Sequence, residues 1–387
     1  MYGEIQSDEI DCSGIAGNTW KTVESMMRLG IIFWIIFWAG CTAPDTCRVE
    51  LTGEIEGCKY GTALLVSADS ARNILFSSEI DGGIISLKGD LPEPGEYILK
   101  INHLEYPLLL EEGRTKVALD ITSDRVKLTE GKVMEMEQLF EKWMEEKYKP
   151  LQERIGREYW KAQQQPEDKA DLDKKTFEYF GLKKLKYGVV RDFIQAYPDG
   201  VFSVYQALEI LDRDYERGME MYALLSPKMQ QSALGKRLYA ETQVFVASAL
   251  GREVPPIEVE TEEGKAEVIE HFPGIWVLDF WASWCGPCRQ EMVYLKEMYP
   301  EVHKFGVNMI SISMDDKVAA WKKGNAEEQI PWKSVRNKYG FKSDAGICGQ
   351  LKFNSIPYIV LVKDGRIVAR NLRRGHLKKK IMELLQE

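Results

Sequence analysis

The residues of this chain best suited to chemistry are Cys285 and Cys288, separated by Gly286 and Pro287. Two cysteines at that spacing form a dithiol that can close reversibly into a disulfide. An apolar run, Ile275 to Trp281, precedes them and reads as a buried strand, and a segment of helical character follows. Cys285 therefore falls at a predicted helix N-terminus. There the helix dipole and unpaired N–H groups stabilise a thiolate and lower its pKa below the free value of about 8.5. Pro287 suits the first helical turn, where its missing N–H has no intrahelical partner to lose. Cys288, on the inner side of that turn, can attack a mixed disulfide formed at Cys285, which is thiol–disulfide exchange. Asp279 is the one charged residue in the run Ile275 to Trp281. If buried, its carboxyl has a raised pKa and can move a proton to or from Cys288; on an exposed strand position it is an ordinary surface acid.

The competing reading of a CxxC is half of a tetrahedral zinc site, which needs four ligands. The chain has no second CxxC, no CxxH and no HxxxH, and its histidines (His103, His271, His303 and His376) are scattered. The motifs call for no metal and no cofactor. The net charge of −9 argues against nucleic-acid binding as a main role. A length of 387 residues, 44% hydrophobic and 29% charged, supports two or three domains with buried cores.

Residues 276–292, WVLDFWASWCGPCRQEM, resemble the active-site segment of the thioredoxin superfamily, in the TlpA/ResA-like branch of envelope-facing proteins. Asn354-Ser355-Ile356-Pro357, then Tyr358 to Val362 and Lys363-Asp364-Gly365, resemble the loop, strand and turn of that family. The resemblance spans Pro255 to Glu387. It implies a cis Pro357 opposite the CxxC, an Ile356 backbone that pairs with a bound substrate strand, and a groove shaped by Trp284, Gly286 and Pro287. Without the resemblance, an X-Pro bond has a cis prior of only about 5%. The fifth position after Cys288, often proline in the family, is Val293. The Gly-Pro pair resembles that of reducing thioredoxins. The resemblance therefore implies a thiol–disulfide oxidoreductase acting on protein disulfides, supplied by an inner-membrane thiol donor. Two rivals stay open. A related thiol peroxidase would expect Thr-x-x-Cys, where this chain has Ala282. An envelope adaptor would use the domain only for docking.

Ile31 to Ala39 is a nine-residue apolar run, too short to span a bilayer but suited to a signal-peptide core. Ala39-Gly40-Cys41 follows in the pattern of a lipoprotein cleavage site, so Cys41 is the expected lipidated residue and membrane anchor. Met1 to Glu24 is acidic and polar, which suggests that translation starts at Met26 or Met27. Thr42 after the cysteine points to the outer membrane of a double-membraned bacterium, facing the periplasm.

The remaining chain divides by periodicity. Residues 1–41 form the signal and lipid-attachment region, and residues 42–130 alternate as short strands of a small antiparallel sandwich or barrel. This β module could serve as spacer, docking surface or homodimer contact. Residues 131–250 are helical, with Met136, Leu139 and Trp143 on one face. Residues 251–387 form the redox module. The fold class is thus an α/β thioredoxin fold at the C-terminus, preceded by a small all-β domain and a helical region. Pro331-Trp332 is expected to lead into a loop. Cys47 and Cys58 are separated by up to roughly 35 Å of extended chain and read as isolated thiols. Cys348 reads as a small core thiol, or as a third redox thiol able to pair with Cys285. Arg373-Arg374 and Lys378 to Lys380 read as a solvated helix end, or as a dock for an acidic partner or membrane headgroups.

Overall fold

A computed structural model of the chain describes residues 47–387 apart from 166 and 342–345; the expectations for Ile31 to Ala39 and for Cys41 lie outside the described residues. Strict alternation builds the first module. In β1 (Cys47–Glu56) every second residue from Cys47 to Ile55 is buried. The strands β2 (Tyr60–Ser67), β3 (Ile74–Asp81), β4 (Ile84–Leu91), β5 (Gly95–Ile101), β6 (Leu104–Leu110), β7 (Gly113–Asp120) and β8 (Arg125–Glu130) follow. They form one sheet in the order β6-β5-β2-β3-β4-β1-β7-β8. Its two edges, β6 and β8, line a groove of about 730 Å³ together with Val133, Met134 and Phe202 of the helical segment that follows.

One detail departs from the sequence reading. The sheet is not purely antiparallel, because β1 and β7 run parallel from Val49 opposite Gly113 to Glu56 opposite Asp120. A hairpin forces antiparallel pairing on adjacent strands, but no hairpin joins β1 to β7. Strand β8 closes one edge of the sheet, with Val126 and Leu128 partly buried against the core and alternating with exposed residues. Cys47 and Cys58 are buried and unbonded.

The helical module comprises α1 (Lys132–Lys147), α2 (Lys149–Gln163), α3 (Lys169–Ala196), α4 (Val201–Ile210), α5 (Tyr215–Leu224), α6 (Pro227–Gln231) and α7 (Ala233–Gln243). Its core gathers Phe140, Phe193 and Phe202 edge to face, with centroids 5.0 to 6.1 Å apart. Helix α4 ends at Ile210, short of Asp214, which caps a new helix by accepting from Arg217 N at 3.0 Å. The β module caps this one in turn. Glu111 accepts from Val201 N (2.5 Å) and Glu93 from Ala233 N (3.0 Å), using N–H groups that the helix starts cannot pair themselves.

The redox module carries β9 (Ile257–Glu260), β10 (Ala266–Ile269), β11 (Ile275–Trp281), α8 (Gly286–His303), β12 (Asn308–Ser313), α9 (Val318–Glu328), β13 (Lys333–Asn337), α10 (Ile347–Leu351), β14 (Tyr358–Lys363), β15 (Arg366–Arg370) and α11 (Arg374–Leu384). Its sheet has the order β10-β9-β13-β12-β11-β14-β15. The segment after Pro331-Trp332 is strand β13, parallel to β12, and not a loop. Val335, Arg336 and Asn337 are buried there, and the polar pair hides the strand from an apolar pattern. Strand β11 is central, with β12 parallel on one side and β14 antiparallel on the other. Six of its seven residues are buried, as both faces of the sheet are covered. The helical and redox modules meet at Arg370, a buried side chain that bonds Glu216, Asp214 (3.0 Å) and the Ser248 carbonyl (2.5 Å).

Candidate active site

Strand β11 delivers the site. It ends at Trp281, and the turn Ala282 to Trp284 carries the chain to Cys285, the N-cap of α8. Asp315 fastens that turn from the end of β12. Its carboxylate accepts from Ser283 N (2.9 Å), Ser283 Oγ (2.7 Å) and Ser313 Oγ (2.7 Å). On the other side Gly324 of α9 abuts Ser283 so closely that an added Cβ would lie 2.7 Å from the serine Cβ. Only glycine lets this helix pack against the turn.

Cys285 and Cys288 are joined as a disulfide, with Cα atoms 5.2 Å apart. Cys285 Sγ accepts from Cys288 N at 3.2 Å. That N–H is one of the four that a helix N-terminus leaves unpaired, and in the reduced state it would favour a thiolate at the same sulfur. Cys288 is fully buried, Cys285 nearly so, and Gly286 and Pro287 are exposed beside them. The Ile356-Pro357 peptide is cis, and Ile356 O lies 3.8 Å from Cys285 Sγ. Trp284 stands 60% exposed at the rim, edge-on to Phe341. The structure thus brings Cys285, Cys288, Ile356 and Pro357 together, with Trp284, Gly286 and Pro287 on the open side.

Asp279 lies on β11 below the dithiol and is only 2% exposed. Ser311, its register partner on β12, donates to Asp279 Oδ2 at 2.8 Å, and Trp332 Nε1 donates to Ser311 Oγ at 2.9 Å. Burial pushes the Asp279 carboxyl up to about 7, although the serine hydroxyl opposes the rise. The charge of a second acid, Glu291, adds to the rise.

Glu291 is the residue that sequence reasoning missed most plainly. It sits three residues after Cys288 on α8, in a segment that reads as an ordinary amphipathic helix, yet it is 3% exposed. Burial raises its pKa, opposed by Arg374, whose backbone N–H donates to Glu291 Oε1 at 2.7 Å. The sequence signal was present in the basic pair Arg373-Arg374, but its reading needs correction. These residues begin α11 and do not end a helix, and they turn inward. Arg373 Nη2 donates to Pro357 O at 2.7 Å, and Arg374 serves Glu291. From the helical module, Arg213 donates to Lys352 O at 3.3 Å, just ahead of the same loop. Cys348 on α10 is buried in the same core, forms no disulfide, and is pushed up to about 12 by burial. Helix α8 runs unbroken past Val293, which is 45% exposed.

This arrangement can accept and return two electrons with their protons: one sulfur at a helix N-terminus, a second behind it, and two buried acids of raised pKa. Sequence comparison with known proteins points the same way. Residues 250–370 match the AhpC/TSA family. Thiol-disulfide oxidoreductase ResA of Bacillus anthracis is 32% identical over 145 residues, which cover 34% of this chain and 78% of that protein. ResA of Geobacillus thermodenitrificans is 34% identical over 87 residues, 22% of this chain and 50% of that protein. Among solved structures, the thioredoxin domain of a thiol-disulfide oxidoreductase from Bacteroides vulgatus is 27% identical, with a TM-score of 0.33, over 35% of this chain and 98% of its own.

Proposed function

This chain belongs to the ResA-like thiol–disulfide oxidoreductases of the thioredoxin superfamily, and on that premise we propose that it reduces protein disulfides from a membrane anchor facing the periplasm. The observation that carries the reading is the pair Cys285–Cys288 at the start of α8, 3.8 Å from the backbone ahead of cis Pro357. In the reduced protein, Cys285 thiolate attacks one sulfur of a substrate disulfide and expels the other as a thiolate, which takes a proton. The Cys288 thiol loses its proton and attacks Cys285 Sγ. The second substrate sulfur leaves and is protonated, and the disulfide seen here forms. Two electrons and two protons pass from the dithiol to the substrate. Asp279, poised near pH 7, is the group we assign to taking the proton of Cys288, with the negative charge of the Glu291 carboxylate keeping the Asp279 pKa high. Ile356 offers backbone to an extended substrate strand, and Trp284 bounds the groove.

The direction rests on the Gly-Pro spacer, and the location on Ile31 to Ala39 followed by Cys41 as the lipidated residue. An oxidising compartment requires an electron supply, for which an inner-membrane thiol donor is the matching partner. The test is the reduction potential of Cys285/Cys288, titrated against glutathione or dithiothreitol. A value near thioredoxin's, about −270 mV, supports reduction, whereas about −120 mV makes the protein a disulfide donor. Membrane attachment is tested separately: Cys41→Ala should move the protein from the membrane fraction to the soluble one.

A further inference from the structure

The helical module leaves a cleft of about 510 Å³ open against the active-site helix. Gln290, Val293 and Tyr294 of α8 line it together with Tyr159 and Trp160 of α2 and Arg374 of α11. A volume of this size lies within the roughly 300–1,000 Å³ range of ligand-binding pockets. Two features separate this cleft from an incidental gap. First, it lies along the active-site helix: its lining residues Gln290, Val293 and Tyr294 share with Gly286 the spacing i, i+4, i+7 and i+8, a single helical face that begins between the two cysteines. Second, its wall is tied to the other side of the reaction site. The Arg374 guanidinium lies 4.2 Å from the Tyr294 ring centroid, and the Arg374 backbone binds Glu291. Arg373, the preceding residue, holds Pro357 O. Meanwhile Trp160 is 65% exposed and Val293 45%, two large apolar groups left wet at one concave site.

We propose that this cleft is a second substrate subsite, which takes a large apolar or aromatic side chain of the disulfide-bearing polypeptide. The inference rests on the reductase reading above and adds a role for the helical module in choosing the substrate. Val293 lies seven residues along α8 from Gly286, a rise of about 10 Å, which an extended polypeptide spans in about three residues. The side chain that enters the cleft therefore stands about three residues from the cysteine that joins Cys285.

The test uses the full-length reduced protein in detergent and two peptides, each joined through its single cysteine to thionitrobenzoate. One carries Phe, the other Ser, three residues to either side of that cysteine. Attack by Cys285 releases coloured thionitrobenzoate, so the two second-order rates are read directly. The expected result is a preference for the Phe peptide of about tenfold. Trp160→Ala and Val293→Asp should each bring the ratio close to one, while Tyr60→Ala, an exposed change in the β module, should keep it. The reduction potential, measured on each variant, reports that the dithiol is intact. No preference in the native protein, or a preference that survives both cleft variants, overturns the subsite. If the native protein reacts with neither peptide nor with free dithiobis-nitrobenzoate, the reductase reading itself falls and takes the subsite with it.

Discussion

The chain folds two sheets, and they bury different things. In the eight-stranded sheet, among the described residues, no charged side chain is buried, and the polar groups it hides are hydroxyls such as those of Thr115 and Tyr106. The seven-stranded sheet and its helices bury Asp279, Glu291, Asp315, Arg336 and Asn337 along with several hydroxyls. A polar group taken out of water costs free energy unless it is bonded, and a carboxyl costs more. Nothing about the apolar alternation of β1 or β11 requires these groups. Their concentration around one pair of sulfurs marks where stability has been exchanged for chemistry. The sulfurs themselves make the same contrast. Cys47 and Cys58 are buried too, but each lies in or beside a strand rather than at a helix start.

The sharpest way to break this contrast is to exchange the roles of its cysteines. Cys285→Ser should lower disulfide reduction by at least about 10³-fold, because the attacking atom is gone. Cys288→Ser should leave the first attack intact and accumulate a mixed disulfide visible by mass spectrometry. Cys47→Ser with Cys58→Ser should leave the rate as it was; a loss there would show that the β module takes part in the chemistry.

Asp279→Asn removes the buried acid while keeping its shape. Reduction at neutral pH should fall by about 10²-fold, the usual scale for losing general acid–base help. The step near pH 7 in its pH profile should vanish. Stability should move the other way. The folded protein holds the Asp279 proton up to about pH 7, and the unfolded chain releases it near 3.8. The native protein therefore loses stability as pH rises through that window. Asp279→Asn should be the more stable form at pH 8, by up to roughly 4 kcal/mol, with the difference fading by pH 4. Denaturant unfolding at the two pH values reads this directly.

Arg370→Ala sharpens the comparison at the boundary between modules. It leaves Asp214 and Glu216 facing each other without their shared cation, and it should cost roughly 3 kcal/mol in denaturant unfolding. Cys348→Ala is the smallest change. It trims a buried thiol in the redox core, should cost about 1 kcal/mol, and should leave the reduction potential of Cys285/Cys288 unchanged. A shifted potential would make Cys348 a third redox thiol.

Local order was legible wherever one period ran unopposed. Ile275 to Trp281 is β11 residue for residue, because one apolar run defines it. The dithiol, its position at a helix start and the lone aspartate were readable from residue types alone. Strand β13 was not. It buries Arg336 and Asn337, so it carries no apolar signature. The cis state of Pro357 came from family resemblance, since the bond's own preference favours trans.

Composition, spacing and period determined that this chain holds a reactive dithiol after a buried strand, and that an all-β and a helical segment precede it. The tertiary structure alone decided what surrounds the dithiol. Glu291 and Asp315 are ordinary acids until packing takes them out of water, and Arg373 and Arg374 are a basic pair until α11 turns them inward. Sequence periodicity reports which face of an element is buried. It carries no record of which distant residue meets a polar group there, and at this site those long-range meetings set the proton affinities and shape the cleft beside them.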